Sequence, residues 1–299
     1  MPATDFTILG GDKRIAHIAP VLAARGYRIT CFHTASIPLE NNPAICHVST
    51  IKKALENTSV IIAGIPFAQN DLLYCEQESA PVHISQLQRY LRKHHKLFGG
   101  VIPEGFRKTC EERGIACYDF MSDEPLALSN AVSTAEGAIL EALRNKSTIL
   151  HQSSVLVLGF GRCGKVLANK LTGLSAKVTV CSADCNELAL ASALGADSLP
   201  YTELEAHIAE YEYIFNTIPS CVLGRLCLEK VSPSSLIIDI ASNRSGADYT
   251  AARELGTPIL FCPGLPGKYA PQSSAKYLAD YILKYCDLPA PLQAIPKNI

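Results

Sequence analysis

Short apolar runs alternate with amphipathic stretches over almost the whole chain. Residues 6–9, 29–32 and 59–65 read as strands, the last continuous in apolar residues, as a strand covered on both faces would be. Two more strands are expected near Leu97 and over 115–118. The first of these follows a helix that runs from Leu87 and Leu91 into the basic residues 92–96. Ile15, Ile18, Ala19 and Leu22 mark one face of a helix that Gly26 closes and Pro20 bends. A polar connection over 119–128, containing Pro125, comes next. Ser129 or Asn130 then caps a helix with Val132, Ala135, Ile139, Leu140 and Leu143 on its apolar face. Gly137 in the middle of that helix signals a close backbone approach, to another helix or to a cofactor.

The second half repeats the alternation. Strands are expected over 155–158, 178–181, 213–215, 236–239 and 259–261, with a helix over 187–194. Tyr277, Leu278, Tyr281, Ile282 and Tyr285 define a last helix. Strands alternating with helices imply parallel sheets with helices on both faces. The expected fold class is α/β, two doubly wound Rossmann-like domains with parallel sheets separated by a cleft. Residues 1–125 form a flavodoxin-like substrate domain, with the helix 272–286 packing back on it. Residues 126–271 form an NAD(P)-binding Rossmann domain, and 287–299, with three prolines, a loose tail.

Composition narrows the function classes. A chain of 299 residues accommodates two domains, and 48% hydrophobic with 18% charged residues describes a substantial core. A formal net charge of -1 gives no reason to expect nucleic acid or an anionic membrane as partner. The opening M-P-A-T-D-F lacks the features of a signal peptide, and no segment reads as a membrane span. The 12 cysteines include no C-x-x-C, and Cys31, Cys117, Cys181 and Cys262 fall at strand ends, where small buried thiols are common. They are read as reduced cysteines of a cytoplasmic protein with no metal site.

The stretch 155–164, V-L-V-L-G-F-G-R-C-G, carries the candidate chemistry. Gly159 permits the turn out of a strand, Gly161 lets backbone N–H groups approach a pyrophosphate, and Gly164 lets the next helix pack close. Val166, Leu167, Leu171 and Leu174 mark that helix, whose N-terminus favours a phosphate. Gly159, Phe160, Gly161, Arg162, Cys163 and Gly164 are therefore cofactor-binding candidates. About 20 residues on, where NAD enzymes hold a carboxylate, stands Cys181-Ser182-Ala183. This points to NADP beside Ser182, with NAD held by Asp184 as the alternative. Three further loops leave carboxyl ends of strands. They supply Asn216, Thr217, Ile218 and Pro219; Ala241 and Ser242; and Gly264 with Lys268, in a Pro- and Gly-rich loop expected to be stiff beside a nicotinamide ring.

The motifs G-F-G-R-C-G, F-N-T-I-P, I-I-D-I-A-S and P-G-L-P-G-K-Y-A-P, with T-A-E-G-A-I at 134–139 and the opening G-G-D-K-R, resemble the dipicolinate synthase A-subunit family. The chain departs from that pattern at Cys181-Ser182, where relatives tend to have an arginine, and at Gln272-Ser273-Ser274, where they often read K-T-A. The resemblance implies a cytoplasmic protein of endospore formers, in the mother cell, that oxidises a dihydrodipicolinate-type ring to dipicolinate with NADP. It also implies the flavoprotein-like B-subunit of dipicolinate synthase as partner; a homo-oligomer is compatible with it. Two carboxylates on such a cyclic substrate require cations, for which Arg14, Arg244 and Lys268 are the candidates. Asn216 and Thr217 would fix the nicotinamide or the substrate. His17 is a candidate base, although a lone helical histidine is more often structural. The alternatives are a dinucleotide-binding regulatory or scaffolding protein, and an alanine- or shikimate-dehydrogenase-like enzyme acting on another small acid.

Overall fold

The computed structural model describes residues 5–37, 42–77 and 80–286, so the tail expected over 287–299 lies outside the described residues. The chain divides into two compact units, one from residues 1–129 with 270–299 and one from 130–269. The first contains β1 (Phe6–Leu9), α1 (Lys13–Ala24), β2 (Ile29–Phe32), β3 (Ile45–His47), α2 (Ile51–Leu55) and β4 (Val60–Ile62). A small hairpin, β5 (Ala68–Gln69) and β6 (Leu72–Leu73), precedes α3 (Ile84–Tyr90), β7 (Lys96–Gly99), α4 (Glu104–Glu112) and β8 (Ala116–Asp119). Its main sheet is parallel, in the order β3-β2-β1-β4-β7-β8. Without the short outer strand β3, this is the 2-1-3-4-5 order of a flavodoxin-like sheet.

The boundary between the units falls inside α5 (Glu124–Asn145). That helix begins earlier than the expected cap at Ser129 or Asn130. Asp123 caps it instead, its Oδ1 accepting the Leu126 N–H at 3.0 Å. Pro125 is tolerated because first-turn N–H groups have no intrahelical partner to lose. Two other expectations shorten. The strand at 59–65 pairs only over β4, and α3 stops at Tyr90, before the basic run, because Leu91 turns extended.

The second unit follows as β9 (Ser154–Leu158), α6 (Arg162–Gly173), β10 (Lys177–Ser182), α7 (Cys185–Ala193), β11 (Asp197–Pro200) and α8 (Leu204–His207). It continues as β12 (Tyr213–Asn216), α9 (Arg225–Leu228), β13 (Leu236–Asp239), α10 (Tyr249–Leu255), β14 (Ile259–Phe261) and α11 (Leu265–Tyr269). Its sheet order β11-β10-β9-β12-β13-β14 is the 3-2-1-4-5-6 order of a dinucleotide-binding Rossmann sheet, parallel throughout. The edge strands β3 and β11 and the hairpin, together with α2, α4, α8, α9 and α10, are elements the sequence reading does not predict. The edge strands are short and mostly exposed, so the sequence has little to bury there.

The last helix, α12 (Pro271–Lys284), belongs to the first unit. Ala275, Leu278, Ala279 and Ile282 pack with Ile15, Ile18, Ala19 and Leu22 of α1. The alanines let the two helices approach. Burying Leu278 and Ile282 contributes roughly 1.5–3 kcal/mol each. Tyr281 and Tyr285 extend this core to the rings of Phe98, Tyr118 and Phe120.

At the amino end of the same sheet, His95 is buried and its Nδ1 accepts the Arg92 N–H at 3.0 Å. Burial, and then the neighbouring His94 and Arg92, push its pKa down from the usual 6.5 to about 4. Between these values the unfolded chain binds more protons, so the contribution of His95 is full above pH 6.5 and falls away as pH drops towards 4. The shift corresponds to about 3 kcal/mol. Between pH 7 and pH 4.5, urea unfolding of the full chain is expected to lose less stability in His95→Gln than in the wild type.

Candidate functional site

The loop between β9 and α6 has the shape a pyrophosphate needs. Gly159 turns out of the strand at φ +87°, a conformation that side chains resist, and the hydroxyl of Thr217 and the side chain of Ile218 fill the space where a Cβ would stand. Gly164 has no room for one either, since it would collide with the Gly159 carbonyl oxygen. The space before Gly161 is open, with nothing among the described residues within 4 Å of a Cβ placed there. Gly161 is also the N-cap of α6, which puts the positive end of a 12-residue helix behind that opening. A phosphate fits this cradle on both counts. Of the remaining loop residues, Phe160 puts its ring into the core and offers only its backbone. Arg162 is exposed, and burial pushes the half-buried Cys163 thiol up from its usual range.

The end of β10 differs from expectation. A carboxylate does stand there, supplied by Glu187 from the first turn of α7. Its Oε2 accepts the Ser182 hydroxyl at 2.6 Å and the Phe160 N–H at 3.3 Å. Asp184, the residue expected to reach a ribose, caps α7 instead, accepting the Asn186 N–H at 2.8 Å. In sequence, D-C-N-E at 184–187 reads as a capping box, which hides the other use of its glutamate.

At the carboxyl ends of β12 and β13 the loops are fixed by a buried network. Asn216 is fully buried, and its amide donates to the Ile218 carbonyl at 3.1 Å and to Asp239 Oδ1 at 3.0 Å. Its own oxygen accepts the Ile218 N–H at 3.1 Å. Asn216 therefore shapes the turn, with its amide already bonded inside the protein. Asp239 also accepts the Ala241 N–H and the Tyr249 hydroxyl, and Thr217 donates its hydroxyl to the Leu158 carbonyl at 2.9 Å. Pro219 and Ser242 are exposed, and Ser245 ties their two loops by donating to the Pro219 carbonyl at 2.6 Å.

The three expected cations have different fates. Arg14 is buried beside Asp12, donating to both carboxylate oxygens and to the Ile65 carbonyl at 3.0 Å. This ion pair, at the turn after β1, uses the guanidinium internally. Lys268 pairs with Glu141 of α5 at 2.5 Å, and Tyr269 donates to the same oxygen at 2.7 Å. Glu141 lies one turn from Asn145 and Lys146, and the latter bonds the Glu212 carbonyl before β12. Lys268 is thus already paired, and both it and Glu141 act electrostatically on Cys262, the residue just past the carboxyl end of β14. The expected stiff loop around it is mostly α11, with Pro266 in the first turn and Gly264, at φ +65°, just before it. Packing of Leu265 and Tyr269 against Gly137 is the close approach that glycine signalled, a helix and not a cofactor. Arg244 alone of the three is exposed with no carboxylate beside it among the described residues, its guanidinium over the rings of Tyr249 and Phe261 at 5.5 and 5.1 Å. His17 sits half-buried on α1, its pKa lowered by burial and then by Lys13.

Comparison with known proteins shows what the chain is similar to. Residues 5–121 match the sequence profile of the N-terminal domain of the dipicolinate synthase A-subunit. Over 191 residues the chain is 34% identical to the dipicolinate synthase A-subunit of Bacillus subtilis (strain 168), a match that spans 64% of this chain and 64% of that relative. The chain is similar to the dipicolinate synthase A-subunit family. Two solved structures of dipicolinate synthase A-subunits share its fold. The one from Bacillus halodurans has a TM-score of 0.81 at 23% identity, covering 96% of this chain and 98% of its own. The one from Bacillus subtilis has a TM-score of 0.79 at 24% identity, covering 95% and 96%. Among the described residues, no group of three or more His, Cys, Asp or Glu side chains could hold a metal, and no helix is long and apolar enough to cross a membrane.

Proposed function

We propose that this chain is a nicotinamide-dinucleotide-dependent oxidoreductase that forms dipicolinate from a dihydrodipicolinate-type precursor. The observation that carries the reading is the open cradle at Gly161, at the head of α6 and at the switch point of a 3-2-1-4-5-6 sheet. Similarity to the dipicolinate synthase A-subunit family suggests the substrate class. Cytoplasmic work during spore formation and partnership with a B-subunit belong to the same reading.

The bound nicotinamide would supply the hydride acceptor, and oxidising a dihydropyridine gains aromaticity, so the protein has mainly to position the ring. Gly161 and the first turn of α6 hold the pyrophosphate. Asn216 and Asp239 fix the backbone of the two loops at the ligand edge. Arg244 receives one carboxylate of the substrate; the rings beneath it limit its conformations and so the entropy lost on pairing.

Turnover of freshly generated precursor by the purified chain, followed by nicotinamide absorbance and dipicolinate formation, tests the proposal. Product formed by the chain alone is the expected result. Dinucleotide binding without turnover until the B-subunit is added would make it a regulatory or scaffolding protein instead.

A further inference from the structure

Glu187 occupies a spot bounded by two elements that the sheet brings together. Cys181 of β10 pairs with Leu158 of β9, so the end of β10 and the G-F-G turn lie side by side. Ser182 ends one and Phe160 belongs to the other, and both donate to the same carboxylate oxygen, at 2.6 and 3.3 Å. In a sheet of this order the adenosine ribose of a bound dinucleotide lies over that junction. We propose that Glu187 is the ribose-binding, cofactor-selecting residue of this chain, and that the chain takes NAD(H) in preference to NADP(H). The inference rests on the dinucleotide reading above and reverses the form expected from residues 181–183.

Helix capping does not account for this glutamate. In a capping box the N3 side chain bonds the N–H of the N-cap residue. Here the Asp184 N–H goes to the Ser182 hydroxyl at 3.1 Å, and the Asp184 carboxylate caps the first turn by itself. Glu187 reaches past its own helix to the glycine loop. Among the described residues both of its hydrogen bonds fall on Oε2, so Oε1 is available to a ribose hydroxyl. A 2′-hydroxyl donates to a carboxylate, whereas a 2′-phosphate brings nearly two negative charges against it. The segment 181–187, C-S-A-D-C-N-E, contains no lysine or arginine to receive that phosphate. The expected carboxylate of an NAD site is therefore present, but it comes from the helix after the strand and not from the strand end.

The test is a pair of fluorescence titrations, NADH and NADPH, on the purified full-length chain and on Glu187→Gln. The wild type is expected to bind NADH more tightly by about 10- to 150-fold, the range of one charge-assisted hydrogen bond. Glu187→Gln should weaken NADH and strengthen NADPH, closing most of the gap. Wild-type affinity for NADPH equal to or above that for NADH would overturn the inference, whatever the fate of the variant. So would a ratio left unchanged in a Glu187→Gln protein of normal melting temperature. Binding of neither dinucleotide would overturn the dinucleotide reading itself, and this inference with it.

Discussion

Arg244→Met is expected to lower kcat/KM for the cyclic dicarboxylate by about 10- to 150-fold, the equivalent of losing one charge-assisted hydrogen bond of roughly 1.5–3 kcal/mol. Dinucleotide affinity should hold, because the pyrophosphate cradle lies on a different strand end. The reason to choose Arg244 over the other two cations is that each of those already has a carboxylate. Asp12 neutralises Arg14, and Glu141 neutralises Lys268. Burial alone raises the Glu141 carboxyl, but the hydrogen bonds from Lys268 and Tyr269 outweigh it and leave the group below its usual range. Lys268→Met is thus the natural control, with kcat/KM unchanged. Steady-state kinetics beside a cofactor titration on both variants make the comparison. A normal Arg244→Met with a crippled Lys268→Met would return the substrate carboxylate to the lysine.

The glycine loop gives the other large effect, and it separates folding from binding. Gly164→Ala places a methyl group against the Gly159 carbonyl oxygen, a backbone atom that cannot rotate away. The helix must lift from the sheet, at a cost of about 3 kcal/mol, the upper end of ordinary overpacking. Gly161→Ala meets no atom of the described residues and should cost only the N-cap preference for glycine over alanine, about 1 kcal/mol or less. The same methyl group stands where the pyrophosphate approaches, so dinucleotide affinity should fall by at least about tenfold, 1.4 kcal/mol. Thermal melts with and without NADH read both effects. A Gly161→Ala protein that melts and binds like the wild type would place the phosphates elsewhere.

Periodicity along the chain was enough to determine the α/β class, most of the central strands and the glycine loop. Buried parallel strands and a G-x-G-x-x-G turn are local patterns: each residue's type is dictated by neighbours a few positions away. The edge strands Ile45–His47 and Asp197–Pro200 escaped because a strand that touches one neighbour and faces water need not be apolar. The candidate site divides along the same line. Gly159 and Gly164 were legible because backbone geometry itself demands them, and Gly161 completes the same spacing. The roles of charged and amide side chains were not, since a lysine or an arginine looks the same in sequence whether it awaits a substrate or is already paired. Only the tertiary structure shows that Asp12 holds Arg14, that Glu141 holds Lys268 across 127 positions, and that Asp239 and Ile218 use up the amide of Asn216. It alone carries Glu187 from a helix start to the glycine loop, 27 positions back, because a long-range hydrogen bond leaves no period in the chain.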